Sequence, residues 1–411
     1  MAIQTTQKIP KGWKETTLGE IAGLSKSQWN PGDKEQKYIG LEHINQGELG
    51  INGFGYSTKL ESNKFYFKTG DVLFGKLRPY FRKVWKAKFD GVCSTDIWVL
   101  KAKKNNDQNF LFYFVANPAF IDKSMGANTG THMPRADWSF LENTKWKIPS
   151  LPEQRAIATM LSSLDNKIEL LREQNKTLEA SAQAIFKEWF VNFNFPNATG
   201  KMIDSELGKI PKGWRVGKIK DLIDILSGFS FLSSEFSQDG KYKLVTIKNV
   251  QDRYFDPTTT TDTLKEIPEK MPAHCKLESG DILLSLTGNV GRICLVNGEG
   301  YLLNQRVAKL KAKDSTDYAF TYLLFLQDSI FSLLQSTASG TAQQNLSPIQ
   351  TKEIEIIIAD RRTLDQFGGV ANKLVQKIND NLSQIQILSK LRDALLPKLM
   401  HGEVRVKEFS Q

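Results

Sequence analysis

The sequence predicts an α+β chain of two homologous mixed α/β modules, each followed by a long helix. The two helices pack as an antiparallel coiled coil, and the whole carries an internal pseudo-two-fold repeat. Three observations predict this. An ordered set of short motifs occurs twice. Within each copy the texture changes once, from short apolar runs broken by Gly, Asp and Asn to a long heptad pattern. The chain's 411 residues are also enough for roughly two to four units, each burying its own core.

The repeat sets the frame. Ile9-Pro-Lys-Gly-Trp13 recurs as Ile210-Pro-Lys-Gly-Trp214, and Tyr38-Ile-Gly-Leu-Glu-His-Ile44 matches Leu244-Val-Thr-Ile-Lys-Asn-Val250 in pattern. Gly70-Asp-Val-Leu73 and Leu100-Lys-Ala-Lys103 return as Gly280-Asp-Ile-Leu283 and Leu310-Lys-Ala-Lys313. Thr129-Gly-Thr131 pairs with Ser339-Gly-Thr341, and Glu153-Gln154 with Asp365-Gln366. The offset between partners grows in order from 201 to 212, as small loop insertions make it. Four segments follow: a first module over 1–150, a central long helix over 151–194, a second module over 195–360, and a C-terminal long helix and tail over 361–411.

Within the modules, runs rich in Val, Ile, Phe and Tyr read as strands. Gly70-Asp71 and Gly280-Asp281 are turns feeding strands at 72–74 and 282–284, with helices mixed in near 110–114 and 318–326. The long helices are clearer. After Pro152, a good first helical residue, the series Ile157, Leu161, Leu164, Ile168, Leu171, Asn175, Leu178, Ala182, Ile185 and Trp189 recurs at steps of four and three. The second copy supplies Phe367, Ala371, Leu374, Ile378, Asn381, Ile385, Leu388, Arg392, Leu395 and Leu399. Each is a heptad seam with a polar break, on a rod of about 60 Å. A lone helix would expose so long a stripe, so each takes the other as partner. Matching the seam centres antiparallel places Asn175 opposite Asn381. They are either a buried amide pair that fixes register or two residues on a wet seam edge.

Lys plus Arg number 55 against 45 Asp plus Glu, a net charge of +10, which favours a polyanionic partner without establishing one. The N-terminus carries no apolar h-region. The longest apolar stretch, 318–334, is broken by Gln327 and Asp328 and falls short of a membrane span. Cys93, Cys275 and Cys294 are too few for a disulfide framework. These features predict a soluble protein of a reducing cytoplasm.

Catalytic constellations are missing from the sequence. His43, His132, His274 and His401 are scattered without metal-ligand spacing, and no GxxxxGK[ST] loop is present. Asn117-Pro-Ala-Phe120 resembles the Asn-Pro-Pro-Phe/Tyr motif with which adenine methyltransferases hold a flipped base. It departs at the second proline, no Gly-rich loop precedes it, and a helix stop at Asn117-Pro118 explains it without chemistry. The chain is expected to catalyse nothing itself and to hold no metal or cofactor.

Binding features are better developed. The stretch Phe74-Gly-Lys76-Leu-Arg78-Pro-Tyr80-Phe81-Arg82-Lys83-Val-Trp85-Lys86 interleaves cations with aromatics. Lys76, Arg78, Arg82 and Lys83 can neutralise phosphates, Arg also reads guanine edges, and Tyr80 can pack on sugars or bases. The same stretch also reads as a strand edge guarded by charge. Its repeat partner, Ser285-Leu-Thr287-Gly-Asn289-Val-Gly-Arg292, is polar but far less basic. A second pair of candidates is the loop Ala127-Asn-Thr129-Gly-Thr131-His132 and its counterpart Ser339-Gly-Thr341-Ala-Gln343-Gln344-Asn345. Gln and Asn pair bidentately with adenine, and Thr and His donate or accept; either loop also reads as a decorated glycine turn. Matching scaffolds with differing loops imply two readers of two different words, an asymmetric split DNA site.

Together these motifs resemble the specificity (S) subunits of type I restriction–modification enzymes, over nearly the whole chain. The carriers are the Ile-Pro-Lys-Gly-Trp openings at 9 and 210, Tyr38-Ile-Gly-Leu-Glu-His-Ile44, and the paired Gly-Asp-Val/Ile-Leu motifs. Others are Ile148-Pro-Ser-Leu-Pro-Glu-Gln154, Phe186-Lys-Glu-Trp-Phe190 and Leu395-Leu-Pro-Lys-Leu-Met-His-Gly-Glu403. The resemblance implies two target recognition domains that bind the halves of a bipartite double-stranded DNA site without catalysis. It implies two antiparallel helices that act as a ruler and dock two modification (M) subunits. The M subunits would carry S-adenosylmethionine and methylate adenine; restriction (R) subunits would then join, with ATP and Mg driving translocation and cleavage. In the second linker, Ala359-Asp-Arg-Arg-Thr-Leu-Asp-Gln366 replaces the Pro-rich run at 148–154, so the second helix is expected to start differently. A ruler further implies that four residues added near Asn175 lengthen the spacer between half-sites. Two rivals remain: a stand-alone DNA-binding or scaffold protein with no M partner, and a self-sufficient methyltransferase, against which the missing cofactor loop argues.

Overall fold

Strand and helix textures sort into repeated layers in a computed structural model that describes residues 10–126, 134–259, 262–338 and 344–406. The chain divides into two units, Met1–Lys167 with Leu388–Gln411, and Ile168–Ile387. Each unit thus holds one module together with a section of both the central helix, Leu151–Phe186, and the C-terminal helix, Arg361–Met400. The sequence reading set those helices apart as segments of their own.

In the first unit a four-stranded antiparallel sheet has the order Ala22–Ser25, Ile97–Ala102, Val72–Gly75, Val84–Lys86. Successive strand residues point to opposite faces. Val72, Phe74, Trp98 and Leu100 pack under the helices Gln108–Ala116 and Pro118–Met125. Leu73, Ile97 and Val99 face a second core with Ile39, Phe67 and Cys93. Burial on both faces is why these strands read as unbroken apolar runs rather than as alternation. The second core is lined by a mixed sheet ordered Gln28–Trp29, Lys64–Phe67, Gly91–Cys93, Lys37–Ile39, Gly55–Tyr56.

The second unit repeats the plan. Its antiparallel sheet runs Ile223–Ser227, Val307–Ala312, Ile282–Ser285, Ile293–Leu295, beneath the helices Tyr318–Phe325 and Asp328–Thr337. In the second sheet Tyr242–Val245 lies parallel to Tyr301–Leu303, as Lys37–Ile39 does to Gly91–Cys93. The repeated motifs are turns. Gly70 and Gly280 sit at φ +89° and +94°, where a side chain would be strained. The neighbouring Asp71 and Asp281 carboxylates accept from the backbone N–H of Lys68 and Glu278, both at 2.8 Å. The Pro-Lys-Gly-Trp openings close the same way, Trp13 N–H to Pro10 O and Trp214 N–H to Pro211 O, both at 3.0 Å.

Within each unit the two long helices pack antiparallel. In the second, Asn381 Nδ2 donates to Asn175 Oδ1 at 2.8 Å, and Asn175 Nδ2 to the Ile378 carbonyl at 3.4 Å. Asn381 is fully buried and Asn175 half-buried, so the two amides pair at the seam with one of them in its core. Ile168, Leu171 and Ile378 are buried there, with Leu178, Leu374 and Ile385 partly so. In the first unit Ile157 and Leu161 share a core with Leu396, Leu399 and Met400, flanked by half-buried Leu164 and Leu388. The stripe is wider than the heptad series predicts: Val375 and Leu396 are fully buried, and Leu395 only partly. The module cores press on the flank of each seam, which demands the broader apolar face of a globular helix.

The second helix does start differently, at its cap. Both helices open on the same backbone bond, Gln154 N–H to Ser150 O at 2.8 Å across Pro152 in the first copy and Leu364 N–H to Asp360 O at 3.1 Å in the second. In the second, the Asp360 carboxylate accepts from Thr363 N–H at 3.0 Å, a side-chain cap in place of a proline start.

Candidate nucleic-acid interface

In each unit the strand-end loop chosen from the sequence lies beside the segment that follows the glycine loop. In the first, Leu77 pairs with Arg135 across an isolated bridge; Arg78 N–H donates to Pro134 O and Ala136 N–H to Lys76 O, both at 2.8 Å. In the second, Thr287 pairs with Asn345, and Leu346 N–H donates to Leu286 O at 2.7 Å. The same backbone frame therefore joins the strand-end loop to the flank of the glycine loop twice, at the same offset. Thr129, Thr131, His132, Thr341 and Gln343 lie outside the described residues.

Side-chain directions divide the basic stretch. Arg78 and Arg82, both in left-handed backbone, bracket the turn Pro79–Phe81. Tyr80 is 44% exposed, with its ring 4.6 Å from Phe81. Arg78 is half-buried, with no side-chain partner among the described residues. Arg82 instead turns inward toward Asp393, 3.9 Å away, and its ionisation is pulled down mainly by burial. Lys83 likewise spends its ammonium on the Leu41 carbonyl, and Lys86 on Asn109. Lys76 is half-buried, and burial followed by the nearby Arg135 guanidinium lowers its pKa. Tyr80 is therefore the exposed member, with Arg78 and Lys76 half-buried beside it.

The second unit offers mainly amide and hydroxyl groups, with two arginines at its edge. Thr287 is buried and donates its hydroxyl to Asn345 Oδ1 at 2.8 Å. Asn289 is half-buried, Gln344 is exposed, and Arg292 Nη1 donates to Gln251 Oε1 at 3.1 Å. Sequence reasoning missed two arginines. Arg135 pairs with Asp96 at 2.9 Å beside Lys76. Arg306 is exposed, and its carbonyl accepts from Leu286 N–H just as that of Asp96 accepts from Lys76 N–H. The repeat offset, which sets Arg306 against Asp96, was the signal that could have found it.

The catalytic motif reads as a helix junction. Asn117 O accepts from Phe120 N–H at 2.9 Å, and the Phe120 ring is fully buried. Among the described residues, no group of three or more His, Cys, Asp or Glu is placed to hold a metal ion. No helix among them is long and apolar enough to cross a membrane.

Comparison with known proteins supplies the family. The model of the "Type I restriction modification DNA specificity domain" matches twice, over residues 10–180 and 211–384. The chain is 27% identical over 425 residues to the type I restriction enzyme MjaIX specificity subunit of Methanocaldococcus jannaschii, covering 98% of this chain and 96% of that one. It is 24% identical to the HindI specificity subunit of Haemophilus influenzae, covering 95% and 99%. The crystal structure of the type I restriction–modification S subunit from M. genitalium shares the fold, with a TM-score of 0.52, 17% identity and coverage of 97% and 98%. Two matched domains, each ending in a long helix, place this chain in the type I restriction–modification DNA specificity family.

Proposed function

We propose that this chain, as a specificity subunit with two recognition domains, reads an asymmetric bipartite site in double-stranded DNA and docks two M subunits on its helix pair. The observation that carries this reading is the repeated backbone bridge, Leu77 to Arg135 and Thr287 to Asn345, which stands beside a cluster of cations and an aromatic in one module and beside amides with a single exposed arginine in the other. One frame with two chemistries suits two half-sites of different sequence. Lys76, Arg78, Tyr80 and the glycine loop would serve the first half, and Asn289, Gln344 and Arg306 the second. Methyl transfer with S-adenosylmethionine, and ATP- and Mg-dependent cleavage, would belong to the M and R subunits, in the cytoplasm.

The test is single-molecule methylation mapping of DNA from cells that express the cognate M subunit with and without this chain. The expected outcome is a split adenine-methylated motif that disappears when the chain is omitted. An active M subunit that yields no such motif would favour a stand-alone binder.

A further inference from the structure

In each unit an arginine in left-handed backbone carries its guanidinium toward an acid of a long helix. In the first unit it is Arg82, at φ 48°, facing Asp393. Its repeat partner, Arg292, does not reach a helix; it donates to Gln251. Two residues beyond Gln251, Arg253 makes the helix contact instead. It sits at φ 60°, and its Nη1 donates to Glu179 Oε1 at 3.1 Å. The other Glu179 oxygen accepts from the buried Tyr322 hydroxyl at 3.0 Å, and Gln183 Nε2 donates to Oε1 at 3.0 Å, so the carboxylate is held independently of Arg253.

The turn around Arg253 is itself tied to the reading loop. Arg253 N–H donates to Ile293 O at 3.0 Å, immediately after Arg292, and Gln251 N–H closes the turn on Tyr254 O at 2.9 Å. A non-glycine residue holds left-handed backbone only where its surroundings over-determine it. Here the turn's backbone bonds are joined by a charge-assisted hydrogen bond from the half-exposed Arg253 to a mostly buried carboxylate.

We propose that Arg253 is a positioning residue for specificity: clamped by Glu179, it fixes the turn that holds Arg292 and so sets how the 287–292 loop meets its half of the DNA. Arg253 touches no base in this scheme. The proposal rests on the reading of that loop as a DNA-contacting element.

Two variants separate this from a general structural role. Arg253→Gly suits the positive φ, so the turn survives while the clamp is lost. Glu179→Gln keeps one acceptor oxygen, enough for the Tyr322 hydroxyl, and replaces the charged acceptor facing Arg253 with a neutral amide NH2. The full chain is co-expressed with its M subunit, and methylation at matched and singly mismatched sites is scored for each half-site separately. Asn289→Ala identifies the half read by the second module. For Arg253→Gly, discrimination at that half should fall about tenfold, the scale of one charge-assisted hydrogen bond, with the other half unchanged. Glu179→Gln should move in the same direction, and Arg253→Lys should recover part of the loss. Wild-type discrimination at both halves, or an equal loss at both, would overturn the proposal. A wild-type chain that directs no split motif would count against the DNA-reading assignment beneath it.

Discussion

Burial decides the behaviour of individual side chains whose type alone suggests reactivity. Cys93, Cys275 and Cys294 all lie in module cores, and burial pushes each thiol above its ordinary pKa. A raised thiol pKa leaves the group protonated at pH 8, so none should react quickly with a thiol reagent in the native protein. Titration after denaturation should release all three; a fast native thiol would contradict the packing. The same distinction governs the basic stretch. Residue types at 76–86 were legible, but which way each points was not. Both Arg78 and Arg82 hold left-handed backbone, yet only Arg82 turns to a helix acid, Asp393, and nothing in the local sequence announces either feature.

At the scale of elements, the heptad series was the most legible feature, because a repeat of four and three over some forty residues has few other readings. It located Asn175 against Asn381. It missed Val375 and Leu396, because their burial comes from module side chains distant in sequence. The amide pair gives a sharp expectation. Asn175→Leu leaves the buried Asn381 amide without its 2.8 Å acceptor, at a cost of about 1–3 kcal/mol. The double substitution Asn175→Leu with Asn381→Leu should recover that loss, since paired apolar residues replace paired polar ones without penalty. Denaturant midpoints of the four proteins in the cycle measure this, and equal destabilisation by single and double variants would reject it.

For the whole molecule, the ordered repeat carried most of the information. Six weak matches in sequence gave the module count, the turns at Gly70 and Gly280, and the contrast between loops. Strand pairing within each second sheet stayed illegible, because strands as short as Gln28–Trp29 and Thr263–Leu264 carry no periodicity to read. If the helix pair spaces the half-sites, four residues added beside Asn175 and four beside Asn381 keep the seam in step. Each addition lengthens its helix by about 5.4–6 Å, against about 3.4 Å per base pair. Methylation mapping should then return both half-sites unchanged with a spacer longer by one or two base pairs. An unchanged spacer would remove the ruler from the account.

The bridges Leu77–Arg135 and Thr287–Asn345 are made by backbone atoms, which every residue except proline supplies. Outward side chains such as Tyr80 and Gln344 can therefore be exchanged while the backbone frame beneath them stays intact. What one module presents could thus change by single substitutions, with the other module and both folds left as they are.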